Sequence, residues 1–78
     1  MSDLAFAGEI AAVEAEAPLS STWRHVKSGS VYMVVDYCLF ERDAKPMVLY
    51  SRLEDEAPIW ARSATEFLDG RFVRLDAD

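Results

Sequence analysis

The chain has 78 residues, 51% hydrophobic and 28% charged, with three glycines and three prolines. That is the profile of one small folded domain, which buries about 60–65% of its unfolded surface, and it excludes low-complexity disorder, collagen and long coiled coil. Eight basic residues against 14 acidic ones leave a net charge of -6, so strong non-specific nucleic-acid binding, which needs surplus positive charge, is excluded as well.

The acids are unevenly spread. Residues 1–21 hold four of them (Asp3, Glu9, Glu14, Glu16) and no base, whereas residues 22–78 hold ten acids and eight bases. We therefore read residues 1–21 as an acidic arm and residues 22–78 as a separate small domain. Within the arm, six alanines and the spacing of Phe6, Ile10, Val13 and Ala17 along one face predict a helix over residues 3–17. Ser2 or Asp3 caps its start and Pro18 ends it. An isolated helix this short is marginal in water, so the arm must dock on something.

The rest reads as β. The opening strand is expected over residues 23–26, turning at Ser28-Gly29. Residues 30–40 are apolar on both alternation phases, Val31, Met33, Val35, Tyr37 and Leu39 on one, Tyr32, Val34, Cys38 and Phe40 on the other. Such a strand is central, or it bends so that each half buries a different side. Residues 47–53 form the next strand, Glu54-Asp55-Glu56-Ala57-Pro58 a turn, and residues 59–62 a short strand. Ser63-Ala64-Thr65-Glu66 matches a capping box that carries Phe67 inward on a single helical turn. Asp69-Gly70 then turns into a last strand over residues 71–75. The expected fold is mainly β: a small five-stranded SH3-like barrel with one short helical turn, preceded by the N-terminal helix.

Cys38 is the only cysteine, so neither an internal disulfide nor a multi-thiolate zinc site is expected. Within an apolar strand it reads as a buried structural thiol. A domain without a disulfide staple fits a reducing compartment, and the start lacks the basic region of a signal peptide, so a cytoplasmic protein is expected. The longest apolar run, residues 31–35, is too short to span a bilayer.

Four stretches recur together in a known pattern. They are Trp23-Arg24-His25-Val26-Lys27-Ser28-Gly29-Ser30-Val31-Tyr32, Val48-Leu49-Tyr50, Trp60-Ala61-Arg62 and Phe67-Leu68-Asp69-Gly70-Arg71-Phe72. The chain here resembles a family of short bacterial and phage proteins of unknown function, over roughly residues 23–75. It departs at Ser51, where that family often has Arg, and at Ser63, where it has Pro. The resemblance implies a small β fold in a mobile-element setting and supplies no activity.

Two sets of residues stand out as candidate sites. Arg24, His25, Lys27 and Arg62, with Trp23 or Tyr50 for stacking, are suited to a small anionic ligand or a modified nucleotide. Strand alternation sets His25 and Lys27 on one face and Arg24 on the other. The remaining aromatics, Tyr32, Trp60 and Phe67, are expected in the core. The second set is acidic: Glu14, Glu16, Glu54, Asp55 and Glu56 present negative charge to a basic partner. No catalytic residue, metal site or cofactor motif stands out, so the chain is read as non-catalytic. The leading expectation is a phage or mobile-element protein that binds a host protein, as an acidic antagonist of a nucleic-acid-binding defence protein in the manner of anti-CRISPR proteins. The alternatives are the ligand reader and an assembly subunit; neither direct nucleic-acid nor membrane contact is expected.

Overall fold

The computed structural model describes residues 3–76, with side chains from residue 8 onward. The alanine-rich arm forms α1 (Asp3–Glu16). Ser2 and the side chains of Asp3 and Phe6, on which the expected cap and part of the apolar face rest, lie outside what is described. Val13 and Ala17, one turn apart, are both buried in the same core as the sheet, with Ala17 wholly inside. Past Pro18 the chain is tied down by Ser21, whose hydroxyl donates to the Pro18 carbonyl (2.6 Å) and accepts the indole N–H of Trp23 (2.9 Å).

Five antiparallel strands follow: β1 (Thr22–His25), β2 (Val31–Phe40), β3 (Lys45–Arg52), β4 (Asp55–Ser63) and β5 (Phe72–Arg74). Their order in the sheet is β4-β3-β2-β1-β5, so β4 and β5 are its edges and do not pair with each other. The mainly β, five-stranded architecture is as expected, but the sheet is not closed. The two edges are joined instead by α2 (Ala64–Glu66) and an irregular turn, Phe67–Arg71, where Gly70 takes φ 106°. That left-handed backbone favours glycine, and the Asp69 carboxylate accepts the Arg71 N–H beside it (3.2 Å).

β2 carries apolar residues on both phases because it bends. Val34 pairs with Tyr50 and Asp36 with Leu49, which leaves Val35 as an extra residue in a bulge. Before the bulge Tyr32 and Val34 face the core; after it Tyr37 and Leu39 face inward while Asp36, Cys38 and Phe40 are exposed. This overturns the expectation of a buried thiol: Cys38 shares the phase of Val34, and the bulge turns that phase out to solvent.

β4 also differs from expectation. It begins at Asp55, not at residue 59, so Asp55 and Glu56 belong to a strand and only Leu53 and Glu54 form the turn. Tyr50 pairs with Trp60 and Arg52 with Asp55, so Ser51 alone faces residues 56–59, which swell outward. Pro58 sits in this swelling of an edge strand, where its missing N–H costs no ladder bond. At the far end of β4 half of the expected capping box forms. Ser63 Oγ accepts the Glu66 N–H (3.3 Å), while the Glu66 carboxylate pairs with Arg62 (3.5 Å) and Arg71 (3.9 Å) instead of reaching back.

The core lies between the sheet, α1 and the Phe67 turn. Phe67 is wholly buried, edge-on to Trp23 (5.0 Å) and stacked on Phe72 (4.4 Å). Tyr37 links the arm to β2 by donating its hydroxyl to the Ala17 carbonyl. Desolvation, then the charges of Glu14 and Asp36, raise its pKa. Raised in the folded state, this group supports folding below its unfolded pKa, and the support fades as pH rises through the folded value. We expect Tyr37→Phe to speed amide exchange in α1 by several-fold at neutral pH, leaving the strands protected, and to flatten the loss of stability at alkaline pH. Unchanged α1 exchange would mean that the hydrogen bond does not hold the arm.

Candidate functional site

Where a closed barrel would have its seam, this sheet has a cleft. Each strand sends at least one side chain to its inner end: His25 from β1, Tyr32 from β2, Tyr50 from β3, Trp60 and Arg62 from β4, and Phe72 from β5. The register explains the convergence. His25 pairs with Phe72 and Tyr50 with Trp60, and alternate residues share a face, so His25 and Tyr50 follow the inward phase of Trp23 and Val48.

These groups touch one another. Tyr32 stands edge-on to Tyr50 (5.2 Å) and Phe72 (6.1 Å), and His25 is tilted on Phe72 (4.9 Å). The Arg62 guanidinium lies over the Phe72 ring at 5.6 Å, and its Nε donates to the Tyr50 hydroxyl (3.4 Å). The bond to Tyr50 raises the Arg62 pKa above its already high ordinary value, against the opposing pull of burial, so the cleft holds a permanent positive charge. His25 is fixed through Nδ1, 2.8 Å from Ser28 Oγ, which also accepts the Ser30 N–H (3.2 Å). The aromatic slot measures about 180 Å³. It shares His25 and Arg62 with an adjoining basin of about 690 Å³ that Lys27, Asp69 and Arg71 border. Partial desolvation pushes the pKa of the exposed Asp69 carboxylate up, but hydrogen bonds from Arg71 (3.0 Å at the closest) outweigh this and leave it lowered.

Of the basic and aromatic residues singled out by sequence, His25, Lys27, Tyr50 and Arg62 come together here. Arg24 does not: it is exposed on the outer face, opposite Val31 and Val73. Trp23 does not either, because it is buried in the core. Trp60, expected in the core, is 48% exposed at the cleft rim. Its edge strand has no neighbour to cover it. Tyr32 and Phe72 were legible only as motif or core positions, Asp69 only as a turn residue and Arg71 only as the first residue of the last strand. The one signal for the latter pair is the Asp-Gly turn, which sets Arg71 beside a strand that begins inward with Phe72.

The acidic set is divided between two places. Glu14 and Glu16 are exposed on the last turn of α1, and Glu54, Asp55 and Glu56 are exposed around the β3–β4 turn. Among the described residues no group of three His, Cys, Asp or Glu side chains comes together to hold a metal ion. No helix among them is long and apolar enough to cross a membrane.

An open five-stranded β domain with one aromatic and basic cleft is the class of protein these features define. Residues 21–76 match the family described as "Protein of unknown function (DUF1653)", and the chain belongs to that family. The match begins after α1, which lies outside it. No curated protein and no solved structure matches the chain.

Proposed function

We propose that the domain is a non-catalytic ligand reader whose cleft binds a small molecule bearing an aromatic ring and a negative charge. One observation carries this: all five strands direct side chains to a single opening, and these are aromatic rings around a fixed guanidinium. Rings offer stacking faces, and a half-buried guanidinium held among them attracts an anion. Concave, mostly apolar sites with a few placed polar groups are where small ligands bind.

The test is a resonance titration of the intact chain with mononucleotides, nucleosides and simple aromatic carboxylates such as benzoate. Signals of His25, Tyr32 and Trp60 are expected to move. Arg62→Ala should weaken binding about tenfold to a hundredfold, the usual effect of losing a charge-assisted hydrogen bond of about 1.5–3 kcal/mol. Arg62→Lys, which keeps the charge but loses the planar fork, should fall between. Reversing Glu14 and Glu16, or Glu54, Asp55 and Glu56, to lysine should leave this binding intact.

An acidic antagonist of a basic host protein makes the opposite forecast. Its partner would be lost on either charge reversal, and binding would weaken steeply with salt. It rests on net charge, which is ordinary for a soluble domain of this size.

A further inference from the structure

The slot and the basin differ in chemistry, and we infer that together they take a free pyrimidine mononucleotide, its ring in the slot and its phosphate beside Lys27. This rests on the cleft being the binding site proposed above. Size selects the ring. The slot is about 180 Å³, close to the roughly 150 Å³ cavity that holds one benzene-sized ring, so a single six-membered ring fills it and a fused purine would extend out of it. Tyr32, Trp60 and Phe72 supply faces and edges for stacking a base.

Charge selects the substituent. Aromatic cages commonly take methylated ammonium groups, but here Arg62 lies over the Phe72 ring and repels a cation. In the basin Arg71 is engaged by Asp69 and Glu66, and Arg62 by Glu66, whereas Lys27 has no ion-pair partner among the described residues. Lys27 is thus the cation with its donors free for a phosphate. The hydrogen bonds around Ser28 are satisfied when its hydroxyl donates to His25 Nδ1, which leaves an Nε2–H on the ring as a further donor. A net charge of -6 disfavours a polyanionic strand more than it does a free mononucleotide.

The experiment titrates the intact chain with UMP, AMP, uridine and 5′-phosphorylated tetrathymidylate, following backbone resonances at low salt. UMP is expected to bind about tenfold or more tightly than AMP and than uridine. Lys27→Ala should erase the preference for UMP over uridine while uridine still binds. AMP or uridine binding as tightly as UMP overturns the inference and leaves the cleft a ligand site. The oligonucleotide binding more tightly than UMP overturns the free mononucleotide in favour of a strand end. If none of the four moves cleft resonances while benzoate does, the inference fails alone; if benzoate is silent too, the proposed function fails with it.

Discussion

Phe67→Ala is expected to leave the domain largely unfolded at ambient temperature. Phe67 is wholly buried, and its ring contacts Trp23, Tyr50 and Phe72 at centroid distances of 5.0, 5.4 and 4.4 Å. Removing a buried phenyl group costs about 3–5 kcal/mol, through lost transfer energy and the cavity left behind. Small domains have about 5–15 kcal/mol in total, and one of this size stands near the bottom of that range. The site is also poorly placed to collapse, because Phe67 is held between α2 and a turn whose path depends on Gly70. Loss of near-ultraviolet circular dichroism and of a cooperative urea transition is the expected readout. A cooperative transition with an unchanged midpoint would show that the core is organised elsewhere. Leu68→Ala, at the half-buried neighbouring position, should cost much less.

Much of this core was legible in the sequence, because local signals and global burial agree there. The Ser63 cap turns the chain and carries Phe67 inward, as Ser-x-x-Glu before an apolar residue implies. The alanine-rich arm docks through Val13 and Ala17, the described side chains of the arm that are buried in the core. Burial failed to be legible where strand register intervened. Cys38 reads as buried from alternation, but one extra residue at Val35 inverts the phase of everything after it, and no residue type in β2 announces a bulge. The Asp55 and Glu56 pair reads as a turn from composition, yet β3 recruits it as strand through Arg52.

For the candidate site the division is similar. Strand alternation correctly sets Arg24 against His25, and Arg24 is on the outer face. What alternation does not supply is which strands are edges. An unclosed sheet leaves β4 without a neighbour, so Trp60 becomes a rim residue although its type suits a core. The same opening gathers His25, Tyr32, Tyr50, Arg62 and Phe72 from residues 47 positions apart in sequence, a tertiary fact beyond the reach of any local window.

The two tryptophans therefore have opposite expected phenotypes. Trp23 is 7% exposed, with its indole N–H bonded to Ser21 Oγ and its ring edge-on to Phe67. Trp23→Ala should cost about 3–5 kcal/mol and leave Ser21 with one partner fewer in a buried setting. Trp60 is 48% exposed on an edge strand, and surface substitutions usually change stability by only about 0.5 kcal/mol. Trp60→Ala should thus preserve the urea midpoint while removing a stacking face, weakening a ring-bearing ligand by about 1–3 kcal/mol, or roughly tenfold to a hundredfold. Fluorescence separates the two directly, since acrylamide reaches the exposed indole far more readily than the buried one. In the wild-type chain, ligand should shield the exposed component from acrylamide; in Trp60→Ala that ligand-dependent change should vanish. Equal destabilisation by both substitutions would return Trp60 to the core and remove the stacking face from the cleft.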